Sequence, residues 1–538
     1  MSRINRIAYA LTSGILLSLA WTQWMNGLVL MIAFVPLLAV ENYFYRNQTR
    51  YRSIQVMFFA MIGFFVWNGI STWWIWNASP LGAVMATLLN TIWMSTVFFL
   101  FHYTRRKVGE RAGYFALIFF WIAFEYFHLR WELNWSWLNL GNGLAKNNHL
   151  IQWYEYTGIL GGSLWVLLSN ILVMTIIQKH LKFRTFHSYL GELSLLILWI
   201  AGPILLSYGI YNHYEEKDDP YTIVATQPNI DPYTEKFNGM NQRKQIEIML
   251  NLADSLGDDD VDFFVGPETS HPRMVWEKSL HKTTGFRMTK EFMQKYPNAY
   301  FVTGLSTKKQ YGPNEEFSVT ARQFSDTAIY YDVYNSAIIM DALGEYDLYY
   351  KSKLVIGVET MPFPKTMKFL ESLILDLGGT TGSHGMQKER SVFEAFDSKV
   401  KIAPIICYES IYGEYVTDYI KKGANIIFVV TNDGWWGDTP GYRQHLTFSQ
   451  LRAIETRRSI ARSANTGTSC FINQRGDLIQ ATDYWVQDVI KADLNTNDKI
   501  TWYVRNGDFL GRIFSFFSIL ILLYAFTGAL IARKKTTE

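Results

Sequence analysis

An apolar run in the last third of the chain ends abruptly at a cysteine. The run reads Ile402-Ala-Pro-Ile-Ile-Cys407-Tyr408-Glu409-Ser410, a pattern that predicts a buried strand passing into a helix. A thiol at the start of a helix lies near free backbone amides, which favour the thiolate, its nucleophilic form. A free cysteine is also an ordinary small hydrophobe, and Cys470, inside the apolar run 469–472, fits that second interpretation.

Two further segments end in side chains of the kinds that assist a nucleophile. Phe263-Phe-Val-Gly-Pro-Glu268 closes on a glutamate, and a carboxyl group in a partly dry cleft has a raised pKa and can act as a general base. Tyr349-Tyr-Lys351-Ser-Lys353 closes a β-rich segment, and a buried ammonium stabilises an oxyanion. Taken alone, the glutamate is also typical of a residue that caps a loop, and either lysine is also typical of a surface residue. The order Glu, Lys, Cys at three such ends predicts one catalytic set.

The elements that position these residues begin with apolar helices. A membrane-spanning helix needs about 20 mostly apolar residues, and the chain has eight candidate stretches. Their cores are 7–21, 28–40, 56–76, 81–101, 114–127, 164–177, 193–210 and 509–531. A buried helix of a soluble protein is an alternative for one short run, but not for seven in succession.

Lysine and arginine are distributed unevenly among the loops between these stretches. They precede the first stretch and follow each even-numbered one, as Arg105, Arg106 and Lys107 follow the fourth, whereas the loops after the first and third have none. Cytoplasmic loops carry the basic excess, so both termini are predicted to be cytoplasmic. We expect the first stretch to be retained, because no small-residue cleavage site precedes the second.

The same alternation predicts three parts of the chain. They are a seven-helix transmembrane region, 1–211, an extracytoplasmic domain, 212–507, and a final membrane helix with a basic cytoplasmic tail, 508–538. Short β-rich runs separated by amphipathic helices predict an α/β fold for the middle part. The predicted strands are 221–226, 263–265, 299–304, 336–340, 402–406, 426–431 and 468–472.

Composition and motifs exclude several other functions. A net charge of +3 over 538 residues, without a basic stripe, gives no support for nucleic-acid binding. Two cysteines without C-x-x-C spacing predict neither a disulfide framework nor a zinc site. His271 and His384 are candidates for metal or serine-hydrolase chemistry, but H-E-x-x-H and G-x-S-x-G are both absent. The glycine-rich run 378–385 around His384 is interpreted as a mobile loop over the site.

The ordered residues Glu268, Lys351 and Cys407 resemble the catalytic triad of the carbon-nitrogen hydrolase (nitrilase) superfamily, which implies an αββα sandwich for the α/β domain. Other segments resemble the same pattern: Gln227-Pro-Asn-Ile230, Asn432-Asp-Gly-Trp435-Trp-Gly-Asp438, Arg462-Ser-Ala-Asn-Thr-Gly467 and Trp135-Ser-Trp-Leu-Asn-Leu-Gly141. Together with the eight stretches, the chain resembles the apolipoprotein N-acyltransferase family. The expected fold is therefore a polytopic α-helical membrane domain plus an extracytoplasmic nitrilase-like αββα sandwich.

The resemblance assigns a role to each member of the triad. It implies that Glu268 is the general base, Lys351 the oxyanion ligand and Cys407 the nucleophile. Lys351 is preferred to Lys353 because family members place the lysine eight residues before a glutamate, here Glu359. The sequence departs from the family between these two, with Ile-Gly-Val at 356–358 where Pro-Phe-Gly is usual.

Four supporting residues complete the predicted site. Glu359 is expected to orient Lys351 through an ion pair, and the amide near Tyr408 to assist the oxyanion. Glu409, beside the nucleophile, is expected to support the site. Trp435 is interpreted as lining an acyl groove, with ordinary aromatic packing as the alternative.

The reaction implied by the resemblance is acyl transfer through a thioester. The donor is a phospholipid, the acceptor is the free N-terminal amine of a diacylglyceryl apolipoprotein, and no cofactor or metal is required. The implied location is a bacterial inner membrane, in contact with lipid, with the catalytic domain in the periplasm. Two alternatives remain: a membrane-anchored amidase or nitrilase that uses water, which has no need of eight spans, and a noncatalytic scaffold, which has no need of the triad.

Overall fold

The computed structural model describes residues 1–237, 239–325, 327–360, 363 and 383–535. The chain divides into two units. We call the first, Met1–Trp76, Pro80–His213 and Asn506–Glu538, the helical unit, and the second, Asn77–Ser79 and Tyr214–Arg505, the sandwich unit.

Helices account for nearly all regular structure before residue 214. They are α1 (Arg3–Leu19), α2 (Leu30–Ala33), α3 (Val35–Arg46), α4 (Ile54–Thr72), α5 (Ile75–Ala78), α6 (Pro80–Val108), α7 (Glu110–His128), α8 (Tyr154–Phe183) and α9 (Leu190–His213). The last two helices of the chain are α14 (Trp502–Asn506) and α15 (Phe509–Lys535). Many apolar side chains of the long helices are exposed; Leu198 on α9, for example, is 69% exposed. Such exposure is expected of a surface that faces lipid.

The predicted membrane stretches all fall mainly on helices, and six segments among the described residues are long and apolar enough to cross a membrane. These are Gly27–Arg46, Ile54–Thr72, Pro80–Val108, Tyr154–Phe183, Leu190–His213 and Phe509–Thr527. The first and fifth predicted stretches lie on α1, with 17 residues, and on the shorter apolar segment Ala112–His128. The expected polytopic helical membrane domain is confirmed, with six segments meeting this length and hydropathy where eight stretches were predicted.

The described residues of the sandwich unit form two sheets. The first has eight strands: β1 (Pro220–Gln227), β2 (Phe263–Val265), β3 (His271–Trp276), β4 (Tyr300–Gln310), β5 (Arg322–Gln323), β6 (Tyr330–Met340), β7 (Tyr346–Tyr350) and β14 (Asp488–Asn495). The second has six: β8 (Phe393–Ala395), β9 (Val400–Ile406), β10 (Ile426–Thr431), β11 (Ile460–Ala464), β12 (Cys470–Ile472) and β13 (Leu478–Ala481). The central strands of each sheet are parallel: β1, β2 and β4 in the first, and β9, β10 and β11 in the second.

The sheets face each other, and helices cover them. Phe263 of β2 meets Phe428 of β10 with ring centroids 5.3 Å apart. Two helices, α10 (Gln242–Ser255) and α11 (Thr284–Met293), share an apolar core with the first sheet. Two others, α12 (Gly413–Lys421) and α13 (Pro440–Thr456), contact the second. The expected αββα sandwich is confirmed.

All seven predicted strands are present: β2 and β10 have the predicted bounds, β1, β4, β6 and β9 extend beyond them, and β12 is shorter. Within the described residues the prediction missed seven others, of which β11 shows the reason most clearly. Its sequence, Ile-Ala-Arg-Ser-Ala, is wholly buried although it contains an arginine, because Arg462 binds the carboxylate of Asp433. A charge inside a strand is therefore tolerated where a partner is supplied from another segment, which periodicity alone does not reveal.

Candidate active site

The structure brings Glu268, Lys351 and Glu359 into direct contact. The ammonium Nζ of Lys351 lies 3.2 Å from Oε1 of Glu268 and 2.9 Å from Oε1 of Glu359. All three side chains are buried. Burial alone lowers the pKa of Lys351, but the charges of Glu268 and Glu359 outweigh it and raise that pKa well above its ordinary value. Lys351 is therefore a buried ammonium at neutral pH.

The second carboxylate of this cluster responds to the same charge. Burial opposes ionisation of Glu359, yet Lys351 holds the pKa of that carboxyl below its ordinary value. Its other oxygen, Oε2, accepts a hydrogen bond from the backbone amide of Val355 at 2.8 Å. The Ile-Gly-Val segment 356–358, where the sequence departs from the family pattern, therefore directly follows Val355, whose amide donates to Glu359.

An asparagine that the sequence analysis did not single out bridges the two carboxylates. Asn335 on β6 donates from Nδ2 to Oε1 of Glu268 at 2.8 Å and to Oε1 of Glu359 at 2.9 Å. Its backbone carbonyl accepts from the amide of Lys351 at 2.8 Å. Since β6 pairs with β7, the strand that precedes Lys351, sheet pairing places Asn335 beside the lysine. The sequence analysis missed Asn335 because it did not predict which strands pair.

Cys407 follows β9 directly and opens a short 3₁₀ helix, Cys407–Ile411. Its φ of 51° is left-handed, a conformation that is strained for a residue with a side chain. Burial, and next the charge of Glu268, raise the pKa of the Cys407 thiol, against the opposing effect of Lys351. The expectation that the helix start favours a thiolate is therefore wrong for the resting site. Cys407 is a protonated thiol that needs a base.

Glu409 connects the residues that follow Lys351, which we call the lysine segment, with the end of β9, the cysteine strand that precedes Cys407. Its Oε1 accepts from the backbone amides of Ser352 at 2.7 Å and Lys353 at 3.2 Å. Its Oε2 accepts from the amide of Ile406 at 2.9 Å. The residues that follow Lys351 and the residue that precedes Cys407 are thus held by one buried carboxylate.

Three tyrosines surround this carboxylate, and the sequence analysis did not identify their role. Tyr349 and Tyr415 donate to Oε1 of Glu409 at 2.8 and 2.6 Å. Tyr419 donates to the hydroxyl of Tyr349 at 2.5 Å.

The two lysines of the segment differ in their contacts. Lys353 directs its ammonium over the ring of Tyr412, 5.0 Å from the centroid, whereas Lys351 contacts Glu268 and Glu359.

The two predicted aromatic residues lie in different surroundings. Tyr408 is buried, with its ring centroid 5.5 Å from that of Tyr412. Trp435 is half-buried between Tyr233, whose ring centroid is 5.3 Å away, and Phe237, which stacks on it at 6.2 Å. These aromatic surroundings agree both with an acyl groove lined by Trp435 and with ordinary aromatic packing.

Both candidate histidines have a pKa below the ordinary value. His271 is buried, and burial lowers its pKa to about 4. Burial likewise lowers the pKa of His384 to about 4, so both are neutral at physiological pH. The predicted loop 378–385 falls largely outside the described residues, which resume at residue 383.

One group in the described residues has the atom types and spacing of a metal site. The thiol of Cys407, a carboxylate oxygen of Asp433 and a ring nitrogen of His445 all lie within 4.8 Å of one another. The guanidinium of Arg462, however, binds Asp433 and lies 3.2 Å from Nδ1 of His445. A cation between these ligands would meet that positive charge, so the arrangement fits a hydrogen-bond network better than a metal centre.

Three of the sequence segments noted above meet at one place in the sandwich unit. Asn465 donates from Nδ2 to the carbonyl of Ile230 at 2.8 Å. Thr466 donates to Oδ1 of Asn432 at 2.8 Å, and the amide of Asp433 donates to the carbonyl of Thr466 at 2.9 Å. Segments more than 200 residues apart in sequence therefore form one connected set of loops beside the cysteine strand.

Comparison with known proteins matches both parts of the chain. Residues 13–172 match the family model described as the apolipoprotein N-acyltransferase N-terminal domain. Residues 227–503 match the model described as carbon-nitrogen hydrolase.

Curated relatives extend along most of the chain. A protein of Chlorobaculum tepidum named apolipoprotein N-acyltransferase is 28% identical over 517 residues, which cover 94% of this chain and 93% of that protein. One of Geobacter metallireducens with the same name is 24% identical and covers 93% of this chain and 91% of its own length. Among solved structures, Nit3 of Saccharomyces cerevisiae, a nitrilase superfamily member, is 14% identical over 52% of this chain and 90% of its own, with a TM-score of 0.36.

Proposed function

The chain belongs to the carbon-nitrogen hydrolase family, and we propose that it is an N-acyltransferase that moves an acyl chain from a phospholipid to the N-terminal amine of a diacylglyceryl apolipoprotein. The observation that carries the proposal is the buried contact of Lys351 with Glu268 and Glu359, in a chain whose relatives named for this activity match it along more than nine-tenths of its length.

The first step makes a thioester on Cys407. Because the pKa of this thiol is raised, Glu268 removes the thiol proton as the sulfur attacks the ester carbonyl of the phospholipid. The Lys351 ammonium, with the backbone amide of Tyr408, stabilises the oxyanion. The ester C–O bond then breaks, and the departing lysophospholipid oxygen takes the proton from Glu268.

The second step transfers the acyl group to an amine. The free α-amino group of the diacylglyceryl cysteine attacks the thioester carbonyl, and Glu268 accepts a proton from the nitrogen. The C–S bond breaks, Cys407 recovers a proton from Glu268, and an amide remains. These steps use only side chains and backbone groups of the chain itself.

Supporting residues have positioning roles in this proposal. Glu359 fixes the Lys351 ammonium, and Glu409 holds the lysine segment against the cysteine strand. Trp435 lines an acyl groove with Tyr233 and Phe237. Since both substrates carry acyl chains, apolar helices that cross a lipid bilayer hold the enzyme where its substrates are. We propose the inner membrane as its location, with residues 212–507 in the periplasm and both termini in the cytoplasm.

Intact-mass analysis of the full-length protein in detergent tests the proposal. After incubation with phospholipid, we expect a mass gain of one acyl chain in the wild type and in Cys470→Ala, which removes the other buried cysteine. Cys407→Ala should show no gain. A diacylglyceryl lipopeptide with a free amine should discharge the adduct, whereas its N-acetylated form should not.

Two other outcomes would each contradict the proposal. Discharge into water at the same rate as into the lipopeptide would favour a membrane-anchored amidase or nitrilase. If no adduct formed on the wild type with any phospholipid, the triad would have no acyl-transfer role and a noncatalytic function would replace it.

A further inference from the structure

A fully buried histidine of α13, His445, lies against the short 3₁₀ helix that begins at Cys407. Its Nε2 is 3.1 Å from the carbonyl oxygen of Cys407 and 3.0 Å from Oγ of Ser410. The Ser410 hydroxyl donates to the same carbonyl at 2.8 Å. A carbonyl oxygen only accepts hydrogen bonds, so Nε2 carries the proton and donates.

The other side of the ring is held just as closely. Nδ1 of His445 donates to Oδ1 of Asp433 at 2.9 Å, since a carboxylate oxygen only accepts hydrogen bonds. Thr431 donates to the same carboxylate oxygen at 2.9 Å, while Arg462 binds the second one. With one ring nitrogen fixed by this set, the other is directed at the carbonyl of Cys407.

The backbone of Cys407 needs such a restraint. Its φ of 51° persists only where surrounding contacts hold it, and a rotation there would redirect the thiol. Arg452, seven residues after His445 and therefore on the same face of the helix, donates to the carbonyl of Ile411 at 2.9 Å. One face of α13 thus binds carbonyls at both ends of the short helix Cys407–Ile411.

We propose that His445 is a positioning residue that holds the carbonyl of Cys407 and so aims the thiol, and that Asp433 orients the histidine ring for this role. The inference rests on the proposed function, in which Cys407 is the nucleophile. It adds a requirement for two residues outside the Glu268–Lys351–Cys407 set, neither of which transfers a proton to substrate.

Two substitutions that keep a polar side chain distinguish positioning from general support. In His445→Gln the amide nitrogen reaches the place of Nε2 and still donates to Cys407. In His445→Asn the shorter amide reaches only the place of Nδ1, so the contact with Asp433 survives, and the carbonyl of Cys407 loses its donor from α13 and keeps only Ser410. A third variant, Gln450→Ala, is the matched control, because Gln450 lies on the same helix and donates to the carbonyl of Gly476 at 2.7 Å.

The variants are compared in the full-length protein carrying Cys470→Ala, which leaves a single thiol. We expect acyl-enzyme formation from phospholipid to be about 10- to 100-fold slower in His445→Asn than in His445→Gln, with Gln450→Ala close to the parent. The rate of Cys407 alkylation by iodoacetamide should separate the same two variants, while their thermal unfolding temperatures stay alike.

Equal acylation and alkylation rates in His445→Asn and His445→Gln would overturn the inference. So would a loss in Gln450→Ala as large as that in His445→Asn, since any disturbance of α13 would then suffice. If the wild type forms no acyl adduct at all, the proposed function fails, but the iodoacetamide rates still decide whether His445 positions the thiol.

Discussion

Asn335 Nδ2 lies 2.8 Å from Oε1 of Glu268 and also binds Glu359, so a neutral side chain supports both carboxylates that flank Lys351. We expect Asn335→Ala to slow acyl-enzyme formation about 10- to 100-fold, because each buried carboxylate loses a donor. The measurement is the initial rate of adduct formation by intact mass.

A second buried asparagine provides the control for this substitution. Asn425 donates to the carbonyl of Lys399 at 2.9 Å, so Asn425→Ala also removes buried amide hydrogen bonds. We expect that variant to acylate at nearly the parental rate. If both variants lost activity equally, Asn335 would have only a structural role.

Replacing Glu359 should change how stability depends on pH. Lys351 lowers the pKa of Glu359 in the folded chain, so the pair stabilises the fold above the ordinary glutamate pKa of about 4.3. That stabilisation is lost as the pH falls below this value and the carboxylate becomes protonated. Thermal unfolding of wild type and Glu359→Gln should therefore differ most at neutral pH and converge toward pH 3.5. A constant difference over that range would show that the ion pair is not its cause.

A second lysine, Lys236, should affect stability on the alkaline side. It is buried, donates to the backbone carbonyl of Glu268 at 2.9 Å, and burial lowers its pKa to about 7. The unfolded chain holds this proton up to a pH of about 10.4, so between these values the folded state binds fewer protons and stability rises with pH. We expect Lys236→Met to flatten that rise in unfolding temperatures measured from pH 6.5 to 9.5. A parallel rise in both proteins would contradict the assignment.

The hydroxyl groups around Glu409 should matter less than its carboxylate. Glu409→Gln places an amide nitrogen toward backbone amides that need an acceptor, so we expect acylation to fall about 100-fold or more. Tyr415→Phe removes one donor at 2.6 Å and leaves the backbone contacts intact, so a loss of about 5-fold is expected. Both rates come from the same intact-mass assay. A Tyr415→Phe loss equal to that of Glu409→Gln would mean that the tyrosines set the position of the carboxylate.

The positions of Glu268, Lys351 and Cys407 in the fold were predictable because each residue ends an apolar run. Glu268, Lys351 and Cys407 follow β2, β7 and β9, directly or within a few residues, and the ends of buried strands are recognisable from hydropathy. The spacing from Lys351 to Glu359 also selected the correct lysine of the two for contact with the carboxylates. Strand and helix order predicted an α/β fold, because alternating elements predict α/β packing, whereas the αββα sandwich was implied only by the family resemblance.

The residues around the triad were not predictable in the same way. Asn335 lies inside a strand and reaches the site through pairing of β6 with β7, and His445 lies inside a buried helix. Their roles depend on contacts between segments distant in sequence. The thiol pKa was wrongly predicted for a related reason: burial and the charge of Glu268 act across the site, whereas the helix start is the only influence that a local run of sequence shows.

Glu268 should have opposite effects on thiol reactivity and on acyl transfer. Its charge raises the pKa of Cys407, so Glu268→Gln should lower that pKa while the Lys351 ammonium remains nearby. At pH 8 we therefore expect iodoacetamide to alkylate Cys407 faster in Glu268→Gln than in the parent, both carrying Cys470→Ala. Acyl-enzyme formation from phospholipid should nevertheless fall by about 100-fold or more, since the base that accepts the thiol proton is gone. Slower alkylation together with slower acylation would instead mean that Glu268 supports the thiolate, and the proton transfer proposed for it would have to be assigned to another group.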